Sequence, residues 1–246
     1  MDIPLRLSKS LDQLGLSRET GIRGKLNQQL SSRRNEQRLR SVEPKKSFSQ
    51  LGEDAILQAY LPAEPGFYID VGSGSPVEGS NTYALYLRGW RGILIDPIAS
   101  NIELSRKIRP RDQCVLTLCA EVSGQTLDFY EFETYQYSTT LTDRAQEMQD
   151  LGHKVRAVYE LQTTRLGELL PKALPTGPSL LSIDAEGVEL DILLGNDWAH
   201  FTPEFIIVEE WEPPVRRETD ISVFLEAKGY MLLGFSGVSC LYRLKG

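Results

Sequence analysis

The sequence predicts an α/β fold built on a doubly wound sheet, mostly parallel and closed by a C-terminal antiparallel hairpin. Three observations predict it. Short apolar runs at 67–71, 92–96, 180–184 and 205–209 alternate with helix-forming stretches, the pattern of a parallel sheet covered by helices on both faces. The first run breaks into Gly72-Ser73-Gly74, a tight turn where bare backbone lets a small ligand approach. The last two runs, 230–235 and 240–244, meet at Ser236-Gly237, too short a link for a crossover, so one of them runs antiparallel.

The chain has 246 residues, enough for one large α/β domain (47–246) behind an N-terminal extension (1–46). The extension is polar and helix-prone, with scattered leucines and few aromatics. It carries 11 Lys/Arg against 5 Asp/Glu, a charge of +6 that leaves −13 on the remaining residues. Such an arm can touch nucleic acid, an anionic membrane or a second subunit. Arg33-Arg34 and Arg38-Leu39-Arg40 lack the interleaved aromatics of a nucleic-acid surface, so a solvated helix joining copies in a homo-oligomer is the expectation.

Within the body, 50–61 reads as a helix with Ile56, Leu57 and Tyr60 on one face. Strand 67–71 follows, then a helix over 81–88 (Tyr83, Leu85, Tyr86, Leu87), strand 92–96 and a helix over 98–108. Residues 115–122 read as a third strand and 126–132 as an extra strand beside it. Residues 133–157 read as a polar, irregular insert ending in a strand-like 155–158, and 164–170 as a short helix. Strand 180–184, helix 189–194, strand 205–209 and helix 221–228 lead into the closing hairpin. No apolar run approaches the roughly 18 residues of a membrane span. Met1–Leu16 lacks the basic start and apolar core of a signal peptide. Cys114, Cys119 and Cys240 sit in or beside apolar runs without metal-ligand spacing, which favours reduced thiols and a cytoplasmic setting.

A doubly wound sheet binds ligands beyond the carboxyl ends of its strands, where strand order reverses. The strand ends here bring together Asp70 and Gly72-Ser73-Gly74, then Asp96-Pro97, Ala120-Glu121, Asp184 with Glu186, and Glu209-Glu210. Asp96 lies 24 residues beyond Gly72, near the roughly 20 expected of an acid gripping ribose hydroxyls. Position 77 is Val, so the third glycine of a dinucleotide turn is missing. An acidic rim repels phosphates and suits a cationic ligand without them. S-adenosylmethionine, with a sulfonium, an ammonium and no phosphate, is such a ligand.

Four segments resemble the FkbM-type S-adenosylmethionine-dependent methyltransferases: Ser49-Gln50-Leu51-Gly52-Glu53-Asp54, Tyr68-Ile69-Asp70-Val71-Gly72-Ser73-Gly74, Gly92-Ile93-Leu94-Ile95-Asp96-Pro97, and Ile183-Asp184-Ala185-Glu186-Gly187-Val188-Glu189. The resemblance implies a class I methyltransferase (Rossmann-like) fold and O-methylation of a hydroxyl on a sugar, glycan or secondary metabolite. It implies that Asp70 and Gly72, Ser73 and Gly74 hold the methionine end of the cofactor, and that Asp96 takes the ribose. It places Ala120 and Glu121 beside the adenine, Gln50 and Glu53 over the site, and Asp184 and Glu186 at the transferred methyl.

An alcohol sheds its proton as it attacks, so a general base helps by about 10²–10⁴-fold. Asp184 is the leading candidate, with Glu186 beside it. His153, in the insert, is the alternative, whereas His200 is expected to pack or cap. Asp184, Glu186 and Glu209 could instead hold Mg²⁺, since hard cations take oxygen ligands, although no spacing establishes a metal. Tyr135, Tyr137, Ser138, Thr139 and Thr140 suit a polyhydroxylated acceptor, and Trp211-Glu212-Pro213-Pro214 could line its pocket. A nucleic-acid amino-methyltransferase is disfavoured by Asp184-Ala185-Glu186-Gly187 where an Asn/Asp-Pro-Pro-aromatic motif would stand. The acidic body disfavours a polyanionic substrate too. A nicotinamide-dependent oxidoreductase and a binding module that has lost transfer are the readings from other classes.

Overall fold

The computed structural model describes residues 47–211 and 218–246. The basic extension and the subunit contact expected of it lie outside the described residues, as do Glu212, Pro213 and Pro214. Among the described residues, no helix is long and apolar enough to cross a membrane.

In chain order the elements are α1 (Glu53–Tyr60), β1 (Phe67–Val71), α2 (Tyr83–Leu87), β2 (Arg91–Asp96), α3 (Ala99–Ile108), β3 (Gln113–Leu116), β4 (Leu118–Ala120) and β5 (Thr126–Phe132). A 3-10 turn (Tyr135–Tyr137) leads to α4 (Thr142–Asp150), β6 (Val155–Arg165), the short α5 (Leu166–Leu169), β7 (Ser179–Ile183) and α6 (Glu189–Leu194). The chain then forms β8 (Phe205–Glu209), α7 (Asp220–Ala227), β9 (Tyr230–Ser236) and β10 (Ser239–Leu244).

Seven strands form one sheet in the order β3-β2-β1-β7-β8-β10-β9. The pairs β3/β2, β2/β1, β1/β7 and β7/β8 are parallel, while β10 runs antiparallel to both neighbours. The chain winds outward from β1 to β3 and returns to β7 on the other side of β1, which puts the switch point between β1 and β7. The four central strands are apolar on both faces because both faces are covered. One face packs Tyr68, Leu94, Leu180, Phe205, Ile207 and Leu241 against Leu57 of α1, Leu61 just after it and Leu85 of α2. The other packs Ile69, Ile95, Ile183 and Val208 against Ile192 and Leu193 of α6 and Leu225 of α7.

Register decides what gathers at the sheet's carboxyl edge. Val71 lies level with Ile95 and Ile183, and Ile183 with Val208. The next residues along are Gly72, Asp96, Asp184 and Glu209, so three acids and the first glycine stand in one row.

Several expectations are corrected. The strand read over 115–122 is two strands: β3 ends the main sheet at Leu116, and β4 pairs in a second sheet of order β4-β6-β5. Thr117 is the crossing residue, its N–H donating to the Asp96 carbonyl at 3.2 Å and its hydroxyl bonded to that of Thr164 at 2.8 Å. The strand over 126–132 pairs with β6, not with its predecessor. The insert, expected to be irregular, holds the helix α4. That helix buries only Ala145 and Met148, so its sequence shows no apolar stripe. The strand at 155–158 extends to Arg165. Tyr60 and Leu87, expected in the apolar sets of their helices, are 48% and 58% exposed, because these short helices bury Glu53, Asp54 and Leu57 in the one and Ala84, Leu85 and Tyr86 in the other.

Candidate active site

A pocket enclosing about 790 Å³ of empty space, solvent at its mouth included, opens at the carboxyl ends of β1, β2 and β7. Its floor is the turn Gly72-Ser73-Gly74. Gly72 and Ser73 both donate their N–H to the Ile95 carbonyl (2.9 and 3.1 Å), and Gly74 donates its own to Asp96 Oδ2 at 2.8 Å. Gly72 and Gly74 adopt φ of 72° and 54°, the left-handed region. A Cβ on Gly72 would stand 1.7 Å from the Asp184 carbonyl oxygen, so this glycine serves the close approach of β7 as well as the pocket. A Cβ on Gly74 would stand 2.8 Å from the Tyr135 ring, whose hydroxyl accepts from Ser75 N–H at 3.2 Å. The insert is thereby laid over the turn.

Asp96 is buried in the pocket wall. Besides Gly74, it accepts from Ile98 N–H (2.8 Å) and Asn101 Nδ2 (3.2 Å) at Oδ1. Burial outweighs these donors and pushes its carboxyl up to about 6. Ser73 Oγ is buried and has no hydrogen-bond partner.

Beside the turn lies a second group of acids. Asp184, Glu186 and Glu209 each offer an oxygen, all within 4.8 Å of one another. Glu186 sits at φ 55°, the only left-handed residue other than glycine among those described. The Glu189 carboxylate, from the start of α6, holds that loop by accepting from Ala185 N–H at 2.9 Å and Gly187 N–H at 3.1 Å. Thr139 Oγ1 of the insert donates to the Glu186 carbonyl at 3.1 Å. Burial, then the neighbouring Glu186 and Glu189, raises Asp184 well above the usual carboxylate range. Burial lifts Glu186 to about 7 against the opposing pull of Arg144, whose guanidinium lies 3.7 Å away and over the exposed Trp211 ring. Glu209 is raised by burial and then by Asp184.

Of the residues singled out in the sequence, Gln50, Gly72, Ser73, Gly74, Asp96, Pro97, Asp184 and Glu186 line the pocket. Others lie off it. Asp70 is buried beneath the sheet edge and accepts from Thr82 Oγ1 at 2.5 Å; that hydroxyl in turn accepts from Arg109, which also meets Tyr68 and Asp112. The expected partner for Asp70, the cofactor, is replaced by this network. Glu53 is buried and accepts from Leu51 N–H at 2.8 Å. Ala120 and Glu121 fall beyond the wall because the chain changes sheets at Thr117, which presents Leu118 and Cys119 to the pocket instead. His153 packs at a tilt against Tyr137, ring centroids 4.1 Å apart, outside the pocket lining, while His200 Nε2 meets the Pro171 carbonyl at 2.8 Å. Sequence reasoning missed Ile98, Leu118, Cys119 and Phe129 as the apolar wall, and Glu189 and Arg144 as supports of the acidic group. The Asp-x-Glu-Gly-x-Glu spacing was the available signal for Glu189.

These residues fit S-adenosylmethionine. Among the described residues, no Lys or Arg lines the pocket, which suits a phosphate-free cation. The apolar wall suits a flat purine. The unpartnered Ser73 hydroxyl and the Asp96 carboxylate supply polar contacts. The fold and pocket together define the class I methyltransferase architecture, with the antiparallel strand β10 set between β8 and β9.

The Methyltransferase FkbM domain matches residues 70–232, about two thirds of the chain, and the chain belongs to that family. It is similar to methyltransferase sdnD of Sordaria araneosa, 31% identical over 126 residues covering 47% of this chain and 48% of that protein. The chain thus spans about half the length of the curated relative it matches. Among solved structures, methyltransferase FkbM from Methylobacillus flagellatus KT aligns with a TM-score of 0.48 at 13% identity, over 80% of this chain and 48% of that one. A TehB-like SAM-dependent methyltransferase from Corynebacterium glutamicum aligns at 0.40 and 11% identity, over 89% and 97% of the two chains. A methyltransferase from Geobacter sulfurreducens aligns at 0.40 and 12%, over 99% and 98%.

Proposed function

We propose that this chain methylates a hydroxyl oxygen on a small polyhydroxylated acceptor, a sugar or secondary metabolite, using S-adenosylmethionine. The observation that carries the reading is the juxtaposition of the buried Asp96 and the half-buried Asp184 and Glu186 with the glycine turn. Asp96 and the turn line the pocket, together with Asp184 and Glu186 from the loop that follows β7. When bound, the cofactor supplies an electrophilic methyl group. Transfer of that methyl from sulfur to an acceptor oxygen would release the hydroxyl proton, which a carboxylate of this site would take. Glu186, held near 7, is matched to take a proton at neutral pH. Ser138, Thr139 and Thr140, which line the pocket on the insert side, offer hydroxyls to a polyol, and Tyr135 offers an aromatic face. Orientation of the acceptor supplies much of the rate, up to roughly 7–11 kcal/mol in well-aligned reactions.

The test is calorimetric titration with S-adenosylmethionine and with NADH, followed by an acceptor screen of hydroxylated metabolites that reads S-adenosylhomocysteine formation. S-adenosylmethionine binding and turnover with a polyol are expected. NADH binding without S-adenosylmethionine binding would defeat the reading, and turnover confined to amines would defeat its oxygen specificity.

A further inference from the structure

The end of the sheet opposite the pocket carries a face that is both cationic and apolar. Residues 87–112 hold six Lys/Arg against three Asp/Glu, a charge of +3 in a body that carries −13. Two of those acids are engaged elsewhere: Asp96 lies in the pocket wall, and Asp112 accepts from Arg109, Tyr68 and Gly92. The exposed acids nearby are Glu103 of α3 and Glu64, two residues beyond the Pro62 carbonyl that Arg88 holds at 2.7 Å. Among the described residues, Arg88, Arg91, Lys107 and Arg111 have no carboxylate partner.

Contacts gather these residues in one place. Arg111 donates to the Tyr86 carbonyl at 2.6 Å and stands 4.0 Å over that ring, which ties the end of α3 to the last turn of α2. Arg91 opens β2, just after Arg88. Leu87 ends α2 and is 58% exposed. Leu104 and Ile108, one turn apart on a single flank of α3, are 46% and 43% exposed. Helix dipoles account for Lys107 and Arg111 at helix ends. They do not account for Arg91 on a strand, nor for aliphatic side chains left in water beside the cations.

We propose that this face docks on an anionic lipid bilayer, its aliphatic side chains entering the interface and its unpaired cations meeting the headgroups. The cations set the sign of the partner. The aliphatic side chains select lipid among anionic partners, because they gain by leaving water only where the partner has an apolar interior. A nucleic acid offers phosphates without such an interior, and a body of −13 repels a long polyanion. A second copy of the same face would set cations against cations. The pocket lies at the carboxyl end of β2 and this face at its amino end, so docking leaves the pocket mouth uncovered. The docking is independent of what the pocket methylates.

The measurement is cosedimentation of the full chain with vesicles of equal parts phosphatidylcholine and phosphatidylserine, beside vesicles of phosphatidylcholine alone. Binding to the anionic vesicles that weakens with salt is expected, with little on the neutral ones. Arg91→Ala and Lys107→Ala should each weaken it by about fivefold, the share of one basic side chain near an anionic surface. Leu87→Ser with Ile108→Ser should weaken it too, and most visibly at high salt. All four positions are exposed, so the variants should fold by circular dichroism and bind S-adenosylmethionine like the wild type. Arg33→Ala with Arg34→Ala, in the basic extension, is the control. Absence of binding to anionic vesicles, or a loss confined to the extension variant, would overturn the face. Binding insensitive to the serine variants and matched on duplex RNA would overturn the lipid partner.

Discussion

Replacing Asp96 with Asn isolates one hydrogen-bonding position in the cofactor pocket. An ionised carboxylate offers about four lone-pair positions. Ile98 N–H and Asn101 Nδ2 occupy Oδ1, and Gly74 N–H occupies one position on Oδ2, which leaves one for a ligand hydroxyl. A charge-assisted bond there contributes about 1.5–3 kcal/mol, so Asp96→Asn should weaken S-adenosylmethionine binding by about 10- to 150-fold. Asn also turns one oxygen into a donor, facing either Gly74 N–H or Ile98 N–H, for a stability loss of about 1–3 kcal/mol. The pH arm has a definite sign. Burial raises the Asp96 carboxyl from 3.8 to about 6 in the folded protein, so its contribution to stability is full below about 4 and is lost as pH climbs through 6. About two pH units correspond to ~3 kcal/mol. The melting difference between wild type and Asp96→Asn should therefore shrink from pH 4 to 7, while wild-type cofactor affinity rises through pH 6 and the variant's stays flat relative to it. Calorimetry at several pH values, with circular dichroism to confirm folding, measures all of this. A folded Asp96→Asn that binds S-adenosylmethionine within about threefold of wild type at pH 7.5 would refute the assignment.

Two further outcomes follow from the placement of neighbouring residues. Asp70→Asn disturbs the Thr82–Arg109–Tyr68 network and should lower stability by about 1–3 kcal/mol in denaturant titration, with cofactor affinity held within about twofold; lost affinity at full stability would put Asp70 back in the pocket. Gly72→Ala should fail to fold, because its Cβ meets backbone at 1.7 Å, whereas Gly74→Ala should fold with a strain of about 1–2 kcal/mol and weakened cofactor binding as Tyr135 yields; a Gly72→Ala protein melting like wild type would contradict the observed contact with Asp184.

The central strands were legible because buried parallel strands are continuous apolar runs, and their acidic ends marked the ligand edge. What escaped the sequence depended on contacts between distant residues. Asp70 and Asp96 look alike, each an acid at the end of an apolar strand. Only the fold shows Arg109 and Thr82 beneath the first, and Gly74, Ile98 and Asn101 around the second. The break at Thr117 was hidden because both halves of 115–122 are β-prone, and which sheet each joins is decided by partners elsewhere. Strand β6 did carry an alternating pattern, with Val155, Ala157, Tyr159, Leu161 and Thr163 turned inward, but polar neighbours diluted it. The acidic group was visible as a list of strand ends. That Glu210 is satisfied while Glu209 is not could be learned only from Tyr242 and Thr219.

The position of β10 has a bearing on how the chain reaches this state. Among the described strands it is the last to be synthesised, yet it is an interior member of the sheet, pairing on one side with β8 and on the other with β9. Until Ser239–Leu244 has emerged, β8 presents the fully buried-type segment Phe205–Glu209 as an open edge, the kind of edge that recruits other chains. The strand that carries Glu209 is therefore an open apolar edge in the nascent molecule until β10 covers it.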